Sequence, residues 1–169
     1  SRLFCKKCIW WLFMFSEYAV NESEINHVIE NLCDDTVLEL HTMFGDEYKK
    51  IVCEEIRQLT TKYLIKLRKT QEPVGLFGLL PQGKNSAGIF LLTTDNLHKG
   101  NVITFLKRAK KQVDEWSKEY GLIMDNCYKK NLTIQKWLRL LDFKPSEFQN
   151  DDFQVYYKGN IGLYNNEQY

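Results

Sequence analysis

The segment Asn131-Leu132-Thr133-Ile134-Gln135-Lys136-Trp137-Leu138-Arg139-Leu140-Leu141-Asp142-Phe143 decides how this 169-residue chain is read. Ile134, Trp137, Leu138 and Leu141 recur at steps of three and four, which gathers them on one helical face, and Asn131 stands where a side chain can cap the helix start. Strand-like runs flank it. Residues 122–128 read as a strand and precede it, and residues 153–157 follow the turn-forming Gln149-Asn150-Asp151-Asp152.

Upstream, Gly100 and Asn101 introduce the strongest helix, with Val102, Phe105, Leu106, Ala109, Val113, Trp116 and Tyr120 on one face and Gly121 placed to stop it. Its other face mixes Lys107, Arg108, Lys110 and Lys111 with Asp114, Glu115 and Glu119, a pattern that reads as solvated rather than as a nucleic-acid surface. Before it, residues 73–80 and 87–93 read as two strands joined by the turn-rich residues 81–86. Gly75 and Gly78 thin the first of them, as a hairpin or a close backbone approach requires. Two helices come earlier still. One uses Ile25, Val28, Ile29 and Leu32 behind a cap at Asn21 or Ser23; the other uses Tyr48, Ile51, Val52, Ile56, Leu59 and Tyr63.

Composition sets the frame around these elements. A hydrophobic share of 44% with 14% aromatic residues supplies one core for helices packed on a sheet, without disulfide staples. Twenty-three basic against 22 acidic residues leave no global field to draw the chain to nucleic acid or anionic lipid. Cys5, Cys8, Cys33, Cys53 and Cys127 are odd in number and scattered, and read as free thiols of a reducing compartment. Cys5 and Cys8 form half of a zinc motif, but no second close pair exists, so no metal is expected. The apolar run from Ile9 to Phe15 is far shorter than the roughly 20 residues that span a bilayer, and no transmembrane segment is expected. The expected organisation is an apolar extension over residues 1–15, non-native or flexible, a domain over 16–158, and a polar tail over 159–169 that frays.

The order helix, helix, strand, strand, long helix, strand, helix, strand, with a first strand near residues 18–21, resembles the GNAT acyltransferase fold, a mixed α/β sheet of about six strands flanked by helices. Residues 131–143 look like the GNAT segment that begins with Asn and closes on Gly-Phe, with Asp142 in place of that Gly and Leu138 where many members carry a Tyr acid. The resemblance implies that acetyl-coenzyme A, if bound, meets Thr93, Thr94, Lys99, Gly100, Asn101 and Asn131, although the usual Arg/Gln-x-x-Gly-x-Gly/Ala run is reduced here to Lys99 and Gly100. The catalytic candidates it leaves are Asp95 or His98 as base and Tyr128 as acid.

Residues 73–159 look like the GNAT-like small internal virion proteins of T7-like phages. The similarity rests on the strand with Gly78, the run Ile89-Phe90-Leu91-Leu92-Thr93-Thr94-Asp95 into a Lys-rich helix, the Asn131 helix, and Phe153-Gln154-Val155-Tyr156. This resemblance implies a non-catalytic protein of virion assembly or genome delivery, partnered by other virion proteins, in the bacterial host cytoplasm or the particle. An acetyl-coenzyme A-dependent N-acetyltransferase acting on a small amine or a protein amine is the alternative.

Overall fold

Along the chain run β1 (Phe13–Ser16), α1 (Glu22–Glu30), α2 (Asp34–Phe44), α3 (Tyr48–Gln58), β2 (Lys62–Leu67), β3 (Pro73–Pro81) and β4 (Ser86–Thr93). They are followed by α4 (Asp95–Lys99), α5 (Val102–Tyr120), β5 (Leu122–Tyr128), α6 (Leu132–Leu140), β6 (Lys144–Gln149), β7 (Phe153–Gly159) and a 3-10 helix (Ile161–Asn166). This computed structural model describes residues 13–16, 20–100 and 102–166, with the backbone alone at 13–16, 165 and 166. The seven strands form one sheet in the order β1-β2-β3-β4-β5-β7-β6, in which β4 and β5 run parallel and every other neighbouring pair is antiparallel.

The sheet separates two apolar layers. Phe105, Val113 and Trp116 of α5, Trp137 of α6 and Leu141 at the end of α6 pack on Phe77, Ala87 and Ile123 on one face. Ile25, Val28, Val52 and Ile56 of α1 and α3 pack on Leu64, Leu76 and Leu92 on the other. Burial of these side chains on both faces is the main stabilising term and makes the mixed three-layer α/β architecture.

Local chemistry explains the boundaries. Asn21 caps α1 by accepting from the Glu24 N–H at 2.8 Å, the first half of a capping box with Glu24. Gly121, at φ +79, ends α5 as expected. Asp142 also takes a left-handed conformation, φ +65, so the turn that glycine favours is kept with a residue that tolerates it. A Cβ at Gly78 would lie 2.5 Å from the Phe90 ring and 2.7 Å from the Thr61 carbonyl, so this glycine serves a close approach and not the hairpin alone.

Four expectations are corrected. The second helix stops at Gln58 instead of running on through Leu59 to Tyr63. Leu59 is extended at ψ 133, and Lys62 Nζ reaches back to the carbonyls of Ile56 (3.0 Å) and Leu59 (3.1 Å), satisfying the helix end while the chain turns into β2. Helix α2 and strand β6 were not expected at all. The first strand lies at Phe13–Ser16, antiparallel to β2, and so takes in part of the expected extension; residues 18 and 19 of its expected place lie outside the described residues, and Asn21 is a cap. The polar tail does not fray over its first half. The Asn160 N–H donates to the Gly121 carbonyl (2.9 Å), and Tyr164 packs on Phe148 with ring centroids 4.7 Å apart.

Candidate active site

Strands β4 and β5 pair only from Ser86 to Gly88 against Leu122 to Met124, and then separate while β4 continues to Thr93 and β5 to Tyr128. The β3–β4 register fixes what β4 offers to that gap. Thr94 N–H donates to Val74 O (3.0 Å) and Gln82 N–H to Ser86 O (3.1 Å). In an antiparallel ladder bonded pairs alternate, so Gly88, Phe90 and Leu92 exchange backbone bonds with β3, while Leu91 and Thr93 turn theirs the other way. The Thr93 carbonyl is taken by the Cys33 N–H (2.9 Å), in keeping with this alternation. Leu91 therefore presents its N–H and C=O to the gap as an open strand edge.

A cleft of about 560 Å³ opens on the sheet face that carries α2 and α3 and reaches across β4 and β5 to β6 and β7. Three carboxylates line it, Glu39 from α2, Glu55 from α3 and Asp125 from β5. Glu39 accepts from the Tyr128 backbone N–H (3.3 Å) and from Asn131 Nδ2 (3.2 Å), and Asn131 Oδ1 in turn caps α6 by accepting from Ile134 N–H (3.2 Å). One side chain on α2 thus ties the end of β5 to the start of α6. Burial raises the Glu39 carboxyl above its ordinary value despite those two hydrogen bonds, and Asp35 adds to the rise. Asp125 is partly open to the cleft but crowded by protein on its other sides. That desolvation, with the negative field of Glu39 behind it, pushes Asp125 up to about 8. A carboxylate poised there exchanges a proton near neutral pH, as general acid–base work requires.

The residues expected from sequence fall into two groups at the ends of these strands. At the β4 end, Thr93 Oγ1 lies 2.9 Å from His98 Nε2 and 3.4 Å from Cys33 Sγ, and the His98 ring stacks on Trp137 at 4.8 Å. Thr94 Oγ1 donates to Val74 O (3.0 Å), so the two threonines are engaged within the fold. Asp95 is exposed in the first turn of α4, and Lys99 and Gly100 are exposed just before α5; Asn101 lies outside the described residues. At the β5 end, Tyr128 is buried against the Phe153 ring (5.5 Å), beside Asn131. Leu138 is buried in the core.

An acyl-coenzyme donor can be matched to this geometry. The open edge at Leu91 suits an amide-bearing arm, and Lys99 with the α5 amides that follow Val102, whose own N–H is taken by the Gly100 carbonyl (3.0 Å), suits a diphosphate. Ile103, 57% exposed, stands at the same helix start.

Neither Asp125 nor Glu39 was singled out from sequence. The available signal for Asp125 was a lone carboxylate inside the apolar run Leu122-Ile123-Met124-Asp125-Asn126-Cys127-Tyr128, since an acid in a central strand is rare without a task. Cys33 carries a second perturbed group. Burial opposes ionisation of its thiol, but hydrogen bonds with His98, Thr36 and Thr93 outweigh it and bring the value down to about 7. Burial pushes the Cys127 thiol up, with Asp125 and Glu39 adding to the rise. Cys33, Cys53 and Cys127 are free, and Cys5 and Cys8 lie outside the described residues. Among the described residues no group of His, Cys, Asp and Glu is arranged to hold a metal, and no helix is long and apolar enough to cross a membrane.

No protein-family model matches the sequence, and no curated protein sequence matches it either. Solved structures do. An acetyltransferase from Streptococcus agalactiae superposes with a TM-score of 0.65 at 14% identity, over 88% of this chain and 98% of its own. A GNAT-family acetyltransferase from Bacillus anthracis gives 0.61 at 12% identity, over 86% and 92%. Spermidine N-acetyltransferase from Vibrio cholerae, solved with CoA and spermine, gives 0.61 at 13% identity, over 88% and 95%. Nothing among these similarities links the chain to phage internal virion proteins. At such identities the likeness is one of architecture: the chain has the GNAT acetyltransferase fold.

Proposed function

We propose that the protein is an acyl-coenzyme A-dependent N-acyltransferase with Asp125 as its general base. The observation that carries this reading is a carboxylate with a raised pKa in a cleft beside the β4–β5 separation. A bound acyl-coenzyme would supply a thioester, whose carbonyl is open to attack by an amine. The Leu91 N–H and C=O would align its amide arm, and Lys99 with the α5 N-terminus would face its diphosphate.

Asp125 takes the proton from the incoming ammonium. An alkylammonium resembling lysine titrates near 10.4, about 6.6 units above an ordinary Asp but only about 2.4 above Asp125 at about 8. At 1.36 kcal/mol per unit, the cost of that proton transfer falls from about 9 to about 3 kcal/mol. The freed amine forms the C–N bond as the C–S bond breaks, and its second proton leaves with the sulfur as thiol. Glu39 holds the end of β5 and the Asn131 cap in register, so that Asp125 stays in the cleft.

A second reading is a non-catalytic GNAT-fold component of a phage particle with virion partners and a host-cytoplasmic location; Leu138 in the core and the internal use of Thr93, Thr94 and His98 support only its non-catalytic part. Calorimetric titration with acetyl-coenzyme A separates the two. The enzyme reading expects saturable binding in the micromolar range, and no heat at millimolar donor would overturn it.

A further inference from the structure

The acceptor cleft has a chemical bias that narrows its substrate. Glu39, Glu55 and Asp125 line it, and no lysine, arginine or histidine is among its described lining residues. No described donor bonds to the Asp125 carboxylate, whose shift has only burial and Glu39 as causes. The carboxylates differ in exposure: Asp125 and Glu39 are partly buried, and Glu55 is exposed. Phe44, Phe90, Phe148 and Tyr164 line the same cleft. Acidic groups set in an apolar and aromatic lining match a molecule with cationic ends and a hydrocarbon spacer, because methylenes pack on the wall, ring faces attract ammonium groups, and each ammonium meets a carboxylate.

We infer that the acceptor is a linear aliphatic di- or polyamine, with its reacting nitrogen beside Asp125 and Glu39 and its distal ammonium at Glu55. The inference rests on the reading of this cleft as the acceptor side of an acyltransferase. A monoamine would leave Glu55 without a partner, and an anionic acceptor would be repelled by Glu55 and, once ionised, by Asp125.

The test is calorimetry without acyl donor, comparing 1,4-diaminobutane and spermidine with 1-aminobutane, on the wild-type protein and on Glu55→Gln. The diamine and the triamine should bind roughly tenfold or more tightly than the monoamine, with an advantage that shrinks as salt is raised. Glu55→Gln, a surface change that leaves the core packing intact, should weaken the diamine several-fold more than the monoamine. Equal affinity for monoamine and diamine, or diamine affinity indifferent to Glu55→Gln, overturns the inference. Because no donor is present, the outcome is independent of catalysis: tight diamine binding with no acyl transfer would refute the enzyme reading and leave the cation cleft standing.

Discussion

Asp125→Asn should stabilise the protein while abolishing its chemistry, and the pH dependence of the gain is what identifies the cause. Asp125 sits at about 8 in the fold against an ordinary value of 3.8, a rise of roughly four units. The folded state therefore binds this proton more tightly than the unfolded chain. Stability from Asp125 is fullest below about pH 4, declines as pH rises from 4 to 8, and stays lost above that. Four units at 1.36 kcal/mol each give a ceiling of roughly 6 kcal/mol. Water in the open cleft screens the charge, so about 2 kcal/mol is the working figure. Asparagine has nearly the shape of protonated Asp and cannot ionise. For a chain of this size, about 2 kcal/mol raises Tm by about 4–8 °C. Thermal unfolding of wild type and Asp125→Asn should differ by that amount near pH 9 and converge near pH 4. A pH-independent gain, or no gain near pH 9, would refute the assignment of a desolvated carboxylate at this position. In transfer assays the same variant should lose about 100-fold or more in kcat.

Three further outcomes follow from particular contacts. Gly159→Ala places a Cβ 2.2 Å from the Gly121 carbonyl oxygen at φ +100, so it should cost about 3 kcal/mol or prevent folding; unchanged denaturant unfolding would contradict the packing of the tail against β5. Cys33 should be the fastest of the described thiols to react with iodoacetamide, with an inflection near pH 7 that rises in His98→Ala, and Cys127 should be protected; peptide mapping by mass spectrometry reads both. Glu39→Gln removes the charge behind Asp125 and should shift the acid-side inflection of kcat/KM, where activity rises with pH, to lower pH; an unmoved inflection would separate the two carboxylates.

The sequence made the architecture readable where one residue type carries a geometric demand. Asn131 as a cap, Gly121 at a helix end and the helical face of α5 all behave as their chemistry implies. Asp142 shows why the replaced glycine did not break the frame: Asp visits the left-handed region at modest cost, and its carboxylate also pairs with Lys110 at 3.1 Å. Helix α2 escaped notice because its buried residues are few, Thr36 and Leu40 with part of the intermediate positions, although Gly45 marks its end. β2 was absorbed into a helical pattern because Leu59 and Tyr63 continue a four-residue spacing across the turn. β6 alternates exposed and intermediate residues at a sheet edge and carries little apolar signal. The site was harder still. The β4–β5 separation is a property of pairing, and the meeting of Glu39 with Asn131, 92 residues apart, leaves no local trace.

The most direct test of the account is transfer itself. The protein is incubated with isotopically labelled acetyl-coenzyme A and 1,4-diaminobutane, and product amide and released thiol are followed together by mass spectrometry and thiol titration. The account predicts labelled N-acetyl diamine and free thiol in equal amounts, at a rate that rises through about pH 8 and disappears in Asp125→Asn. Folded wild-type protein that forms no amide with this or any other amine, or an Asp125→Asn variant that forms it at the wild-type rate, would contradict it.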